Sequence, residues 1–421
     1  MSKKQLLDLP AELLEHVAEQ SNNKQDLKSL RLACRDLHAA ADRAFIDAFF
    51  THRTHLVTKY SLDTLVSITS IPRLRSQLKS LKFATNIILS LVDQSLHEPP
   101  ASIEELLSSL EELKSAEYQE KSTGLEAGLF GEDHVALASV VTIFSNLRAA
   151  GVVLTLGINP DLDGEAFGRH QLAEMIGLDP LLPQNGSQFI WYGNKMRTTE
   201  MLLRAVVDTR LQIDGLEFLG AYEGAGFGVV AVADDMSRLP GLRQSFRFLV
   251  SVDLDCGDVF DFERSMYDSF MTVFESPVAL QHLSLSQLRR SETEKDLFRK
   301  IITTCARFDL KSIKLQEFST TPREMLSLLT PHRTTLESLE LIDVCTEGAD
   351  SYTLQSLFST LAADYSLRNL DLWYLWEDDK GMKSYTFDQG ADQVRKGLEE
   401  LAKKEDLFVP VDQVPGIEIL Q

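Results

Sequence analysis

Cysteine is scarce in this sequence. The 421 residues contain four cysteines, which are scattered along the chain and form no CxxC pair: Cys34, Cys256, Cys305 and Cys345. A disulfide framework or a structural zinc site needs more cysteines at closer spacing. The pattern instead predicts free thiols in a reducing compartment, and therefore a location in the cytoplasm or the nucleus.

Long apolar runs are also missing. No stretch approaches the roughly 20 apolar residues that span a bilayer. The N terminus is not expected to be a signal peptide, because Lys3 and Lys4 are followed by Asp8, Glu12 and Glu15 without an apolar segment. We therefore expect neither membrane insertion nor secretion.

Positive charge is in deficit. The chain has 42 basic and 63 acidic residues, a net charge of −21. Binding to nucleic acid independently of its sequence requires cations that neutralise phosphates, so this charge argues against a nucleic-acid partner. Two interpretations remain open. The acidic surface attracts a basic protein substrate, or it only keeps the protein in solution.

Motifs of catalysis and cofactor binding are absent as well. The sequence contains no GxSxG nucleophile elbow, no HExxH zinc motif and no kinase signature. The segment 159–164 resembles the start of a calcium loop, but Pro160 is unsuitable at its second position and His170 replaces the bidentate glutamate. The glycine-rich segment 224–228 fits neither GxGxxG nor a P-loop. We expect a non-catalytic protein without a metal or cofactor.

The N-terminal segment 6–41 shows helical spacing of its apolar residues. Pro10 suits the first position of a helix, and Asp26 is a suitable cap for a second helix after the polar break at 21–23. A third apolar stripe follows over 37–48. Three short helices form a small core that must pack against something else, either the rest of this chain or a partner. Leu32 points away from the stripe of its own helix.

The same segment resembles an F-box in the spacing of its residues, above all in Leu9-Pro10 and in the series Leu-Ala-Cys-Arg-x-Leu that ends at Leu37. F-boxes carry no chemistry but dock a receptor onto the Skp-type adaptor of a cullin-RING ubiquitin ligase. The resemblance implies ten residues that form or support the adaptor contact: Leu9, Pro10, Leu13, Leu14, Leu27, Leu30, Leu32, Cys34, Arg35 and Leu37.

The resemblance implies a substrate-recognition subunit of an SCF-type (Skp–cullin–F-box) ubiquitin ligase. Such a subunit transfers no ubiquitin itself and acts by holding a substrate near the conjugating enzyme. Two alternatives remain. The chain is an F-box scaffold that acts outside ubiquitination, or it is an enzyme whose active site is spread over loops, for which the sequence offers no support.

Three further segments precede the main domain. Residues 1–50 form the F-box, and 51–92 form a helical linker in which Ser61 caps a helix, Pro72 ends it, and Leu78, Leu81 and Phe83 start a first strand. The linker resembles the segment after the F-box in many proteins of filamentous fungi. Residues 93–133 are expected to be an insertion or flexible loop with one amphipathic helix.

From residue 134 to 421 the chain alternates helix-like and strand-like segments. The strand-like segments share the pattern Leu-x-x-Leu-x-Leu, starting at Ile213, Leu249, Leu280, Leu310, Leu336 and Leu367. This resembles leucine-rich repeats, in which each unit must stack on the next to bury its apolar face. The spacing of 26–36 residues and the missing Asn or Cys after each strand, where Leu288, Phe318, Val344 and Leu375 stand, leave a non-repetitive α/β domain as the alternative.

A terminal cap is expected from about residue 373. Trp373 is assigned to core packing or capping, with a recognition patch as the alternative, and an amphipathic helix is predicted over 391–404. The fold class that follows is α/β, with a small N-terminal three-helix F-box and an irregular leucine-rich-repeat-like solenoid. A protein substrate, basic if the acidic surface is used, is the expected partner of the repeats.

Overall fold

The protein is a mixed α/β chain, as its sequence predicted. The computed structural model describes residues 6–21, 23–84, 135–159, 166–176, 192–218, 239–256, 264–286, 292–346, 353–377, 380–382, 385–387, 390–404 and 408–410. The chain divides into two compact units, Met1–Ile190 and Trp191–Gln421. The boundaries expected near 50, 92 and 133 stay predictions, and the segments 93–133, 224–228 and 411–421 lie outside the described residues.

The first unit begins with helices and continues with alternating strands and helices. A 3-10 turn, Leu6–Asp8, precedes the first helix. Its elements are α1 (Ala11–Glu19), α2 (Lys24–Ala33), α3 (Arg35–Phe50), β1 (His52–Leu56), α4 (Lys59–Ser70), α5 (Pro72–Arg75), β2 (Ser80–Ala84), α6 (Val135–Ala149), β3 (Leu154–Asn159) and α7 (Arg169–Ile176).

Helices α1, α2 and α3 form a three-helix bundle, in which α1 and α2 each pack against α3. Its buried centre is small and consists of Ala18, Leu27 and Ala41, with α3 supplying further half-buried alanines and phenylalanines. The expected caps differ by a few residues. Pro10 is the N-cap of α1 rather than its first residue. Asn23, not Asp26, caps α2, because its side chain accepts a hydrogen bond from the Gln25 amide at 2.8 Å.

A parallel sheet follows the bundle in the first unit. Strand β2 pairs with β1 on one side and with β3 on the other, so that Leu81 lies between Arg53 and Leu156. The expected strand with buried Leu81 and Phe83 is confirmed. The structure adds a strand, β1, in the segment predicted as a helical linker. Thr58, not Ser61, caps α4 by accepting from the Ser61 amide. Helix α4 ends at Ser70, and Pro72 begins α5 instead of ending α4 directly.

The second unit repeats a strand followed by a helix. Its elements are α8 (Tyr192–Thr209), β4 (Ile213–Phe218), α9 (Leu239–Phe246), β5 (Ser251–Asp255), α10 (Arg264–Glu275), β6 (His282–Ser286), α11 (Glu292–Cys305), β7 (Ser312–Thr320), α12 (Pro322–Leu329), β8 (Ser338–Thr346), α13 (Leu354–Asp364), β9 (Asn369–Trp373), β10 (Trp376–Glu377), β11 (Lys380–Met382), β12 (Tyr385–Phe387), α14 (Ala391–Lys403) and β13 (Phe408–Pro410).

Strands β4 to β9 pair in chain order, each parallel to the next. All six predicted Leu-x-x-Leu-x-Leu segments end in these strands, and every apolar position of the pattern is buried. The register aligns these positions from strand to strand. One row of paired residues across the sheet is Leu216, Val252, Leu283, Ile313, Leu339 and Leu370. We refer to these aligned buried side chains as the leucine ladder.

Three neighbouring strands share an unusual backbone feature just beyond the ladder. Glu317, Asp343 and Tyr374 each adopt a left-handed conformation, with φ of 50–52°. Glu317 and Asp343 lie at corresponding places in the paired strands β7 and β8, and Tyr374 follows β9. The next residue in each case is buried: Phe318, Val344 and Leu375. A buried apolar side chain therefore occupies the position after each of these three strand segments, where a typical leucine-rich repeat has Asn or Cys.

The end of the second unit departs from the strand–helix alternation. Strand β12 pairs antiparallel with β9, while β10 pairs with the end of β8 and is followed by β11 and β13 in antiparallel order. The amphipathic helix is confirmed as α14, which buries Val394, Leu398 and Leu401. Of the two roles expected for Trp373, core packing is wrong, because its side chain is 44% exposed.

Candidate functional site

The three-helix bundle exposes a surface of large apolar side chains. Leu6 and Leu7 lie in the 3-10 turn, Leu13 and Val17 on α1, and Leu32 on α2. Among the described residues thirteen large apolar side chains are exposed, and these five are concentrated in the first 32 positions. This concentration marks the bundle as the first candidate for a docking surface.

Helix α1 explains how the exposed and buried sets arise. Leu14 and Ala18 are four residues apart and face α3, where they are buried. Leu13 and Val17 form a second stripe, rotated by about 100° from the first, which faces outward. The Pro10 carbonyl accepts hydrogen bonds from the amides of Leu13 and Leu14 at 3.0 and 3.1 Å. The Leu-Pro start thus fixes the first turn of the helix that carries both stripes.

The ten predicted contact residues divide into three groups by exposure. Pro10, Leu13, Leu32 and Arg35 are exposed, and Leu32 is the most open of them at 86%. Leu9, Leu30, Cys34 and Leu37 are half-buried, and Leu30 packs on the core. Leu14 and Leu27 are buried and cannot touch a partner, so they belong to the supporting core. Sequence reasoning omitted three exposed side chains from the set, Leu6, Leu7 and Val17; the last could be found from its spacing of four residues from Leu13.

The turn between α2 and α3 is formed by one residue. Cys34 is fully extended, with φ −162° and ψ 171°, and it is both the C-cap of α2 and the N-cap of α3. The His38 ring stabilises this turn. Its Nδ1 donates a hydrogen bond to the Arg31 carbonyl at 3.1 Å, which gives a partner to one of the last carbonyls of α2. Leu32 is therefore held on a short, fixed turn of helix rather than on a free loop.

Charged side chains attach the bundle to the segment that follows it. The Asp42 carboxylate of α3 pairs with Arg31 of α2 at 3.3 Å and with Arg73 of α5. The Arg31 guanidinium also lies over the Phe45 ring, 3.9 Å from its centroid. Burial and the nearby positive charge of Arg73 lower the pKa of Arg31. The bundle thus packs on its own chain through α3, while α1 and α2 keep their exposed apolar residues.

A buried polar network ties the last turn of α3 to the sheet. Arg53 donates from Nη1 to the Phe49 carbonyl at 2.8 Å and from Nε to His55 Nε2 at 3.0 Å. His55 Nδ1 then donates to Ser61 at 2.9 Å, and the Ser61 hydroxyl donates to the Phe167 carbonyl at 2.9 Å. Burial lowers the pKa of Arg53 to about 10.

The His55–Ser61 pair does not have the polarity of a catalytic pair. A serine nucleophile donates its proton to histidine, whereas here the histidine donates and the serine passes its own proton to a carbonyl. Both residues are completely buried. Burial, reinforced by the charge of Arg53, lowers the pKa of His55 well below its usual value, so the ring is neutral at pH 7. The network is therefore structural.

The neutral state of His55 predicts that the first unit loses stability in acid. The unfolded state binds a proton near pH 6.5 while the folded state does not, so unfolding is favoured as the pH falls below about 6.5. We expect the free energy of unfolding to fall by about 1 kcal/mol between pH 7 and pH 5.5 because of this residue. Urea unfolding of the first unit, followed by hydrogen exchange at both pH values, measures it.

Two variants test this assignment. His55→Gln is expected to lower stability at pH 7 and to flatten the dependence on pH. His52→Gln is the matched control, because His52 lies on the same strand and is exposed. An unchanged pH dependence in His55→Gln would show that another group is responsible.

The bundle also borders a polar groove of about 670 Å³. Its lining comes from α3, the start of β1 and the segment 73–79: Asp42, Arg43, Ile46, Asp47, Thr51, His52, Arg73, Gln77 and Lys79. Acidic and basic side chains alternate there, and Arg73 is already paired with Asp42. With three basic and two acidic side chains, the lining carries a net charge of only +1, which gives the groove little preference for an anion or a cation.

Comparison of the sequence with family models gave no match, and comparison with curated proteins gave none either. In the described part of the chain, no group of His, Cys, Asp and Glu side chains is arranged to hold a metal ion. The four cysteines are free thiols, and Cys256 and Cys305 are buried. No helix of the described ranges has both the length and the apolar character to cross a bilayer.

Proposed function

We propose that this chain is the substrate-recognition subunit of an SCF-type ubiquitin ligase, in which the three-helix bundle is an F-box that binds the Skp-type adaptor. The observation that carries the proposal is the exposed apolar surface of the bundle, in particular Leu13 and Leu32. These side chains coincide with positions of the F-box resemblance, and they face outward although the bundle has few apolar residues for its own core.

The second unit also supports this proposal, in which it is the part that binds a substrate. Strands that pair in chain order, each followed by a helix, are the arrangement of leucine-rich repeats, and we propose that β4 to β9 form a divergent array of this kind. Such arrays offer an open strand face or strand ends for protein recognition. The chain would then supply proximity rather than chemistry.

The proposal is tested by adaptor binding to the full-length chain. We expect Leu9→Ala combined with Pro10→Ala to weaken binding of the purified adaptor at least tenfold, because Pro10 starts α1 and both residues border the exposed stripe. Calorimetry with the purified adaptor gives the affinity. The full chain is required, because α3 is anchored to α5 and β1 and an isolated bundle lacks these contacts.

A matched control is Ile71→Ala combined with Pro72→Ala. This pair likewise joins an apolar residue to a proline at a helix start, but at α5, and Ile71 is exposed. The control is expected to bind the adaptor like the unchanged chain. Equal affinity of all three proteins, or no binding by any of them, would contradict the proposed role. Retained adaptor binding without recruitment of a cullin would instead favour a scaffold.

A further inference from the structure

Two exposed aromatic residues follow one another in the sequence at the end of β9. Trp373 is 44% and Tyr374 is 37% exposed. Burial alternates along β9, so that Asp371 and Trp373 lie on the open face of the sheet while Leu370 and Leu372 join the leucine ladder on the other face. We refer to Asp371, Trp373 and Tyr374 as the aromatic corner. An exposed tryptophan and tyrosine in contact with water are unusual enough to suggest a binding role.

Among the described residues, the carboxylate of the aromatic corner has no counterion. Asp371 makes no hydrogen bond or ion pair within the part of the chain that the structure describes. Its neighbour in register on β8 is Glu340, another acid. Glu340 is already engaged by Lys314 of β7, at 3.1 Å. Like charges at directly paired positions of a sheet repel, so a cation that reaches Asp371 removes an unfavourable interaction.

A second acid, Asp343, lies on β8 at the position that corresponds to Tyr374. Asp343 has the left-handed conformation on β8 that Tyr374 has after β9. Its carboxylate accepts a hydrogen bond from Trp376 Nε1 at 2.7 Å. The Trp373 and Tyr374 side chains, in contrast, form no hydrogen bond in the described residues. The surface thus combines rigid aromatic faces, carboxylates and unused donors.

This combination fits a guanidinium group. Arginine stacks on aromatic faces and makes paired hydrogen bonds with carboxylates, which lysine does less well. The net charge of −21 attracts a basic segment over a longer distance. We infer that the aromatic corner docks a basic, arginine-containing segment of a partner protein, with a guanidinium on Trp373 or Tyr374 and hydrogen-bonded to Asp371. The inference that this segment belongs to a ligase substrate rests on the proposed function. The inference that the aromatic corner binds an arginine-containing segment does not depend on it.

The test uses the full-length chain and a fluorescein-labelled peptide of alternating arginine, glycine and serine, with fluorescence anisotropy as the readout. Trp373→Ala and Asp371→Asn are each expected to weaken binding about tenfold, and Asp371→Glu to restore part of it. A peptide with serine in place of every arginine is expected not to bind. Binding is also expected to weaken with added salt.

Phe248→Ala is the matched control. Phe248 is 47% exposed and lies in the same unit. It belongs to the turn before β5, whereas Asp371 lies on β9, four strands further along the sheet. An equal loss in this variant, or equal binding of the serine peptide, would overturn the inference. So would self-association of the chain that Trp373→Ala abolishes while the arginine peptide fails to bind, because the surface would then join two copies.

Adaptor binding is measured on the same variants to separate the two proposals. The aromatic-corner variants are expected to bind the adaptor normally and to keep the thermal unfolding midpoint of the unchanged chain. Failure of peptide binding with normal adaptor binding would reject the aromatic corner alone. Failure of adaptor binding with normal peptide binding would reject the F-box proposal alone.

Discussion

Replacing Leu27 by aspartate is expected to unfold the three-helix bundle, whereas the same change at Leu32 leaves it folded and removes adaptor binding. The two residues lie five positions apart on α2 but are 3% and 86% exposed. An unpaired carboxylate at Leu27 sits in a core of very few residues, at a cost above about 4 kcal/mol. At Leu32 the aspartate stays in water, and its effect on stability is within about 0.5 kcal/mol.

The measurement combines hydrogen exchange of residues 11–50 with adaptor affinity. Leu27→Asp is expected to lose protection throughout the bundle and, with it, all binding. Leu32→Asp is expected to keep protection and to weaken binding at least about 30-fold, as for a central interface residue. Normal affinity in Leu32→Asp would remove the exposed end of α2 from the docking surface. Normal protection in Leu27→Asp would show that the bundle does not depend on this core.

Replacing Leu341 by alanine is expected to lower the free energy of unfolding of the second unit by about 2–5 kcal/mol, because it opens a cavity in the middle of the leucine ladder. Leu341 is completely buried and is paired in register with Leu315 on one side and Leu372 on the other. Ile342→Ala is the matched control. Ile342 is the next residue, faces the other side of the sheet and is half-buried, so a loss below about 1 kcal/mol is expected.

Tryptophan fluorescence reports selectively on this change. All three tryptophans of the chain, Trp191, Trp373 and Trp376, belong to the second unit. Urea unfolding followed by this signal therefore gives the stability of the second unit. Equal losses for Leu341→Ala and Ile342→Ala would contradict the assignment of the two faces of β8.

The strands of the second unit were predictable because their signal is local. Each Leu-x-x-Leu-x-Leu segment combines two alternating positions, which face the same side of a strand, with one apolar residue that precedes the strand or, in β4, begins it. Helices between them, such as α11 and α13, follow from their own apolar spacing. The order of the strands was predictable only through the resemblance to repeats, because local spacing does not specify which strands pair.

Features set by the tertiary environment were not predictable. The left-handed backbone of Glu317, Asp343 and Tyr374 has no sequence signal, since none of them is glycine. Core packing or capping was expected for Trp373 at the end of the last strand, but the residue lies on the open face that its alternation with Leu372 requires. Asn23 and Asp26 are equally good caps by type, and only the start of α2 decides between them.

The docking surface shows the same limit. Spacing put Leu13, Leu14, Val17 and Ala18 on one apolar stripe of α1, but in the structure only Leu14 and Ala18 are buried, while Leu13 and Val17 are exposed. The F-box resemblance supplied Leu13 and Leu14 as one set, although one is in the core and the other outside. Leu32 was the exception, because its angle to Leu27 on a single helix already placed it away from the packed face.

The pairing of strands in chain order also bears on how the second unit reaches its fold. Each of β5 to β9 pairs with the strand that precedes it in the chain, and the described residues between the two strands include an α-helix. Contacts between residues close in sequence need little loop closure, and chains of low contact order fold rapidly. During synthesis, a strand that leaves the ribosome meets a neighbour that is already complete. The sheet of the second unit can therefore grow one strand and helix at a time from β4, without waiting for residues near the C terminus.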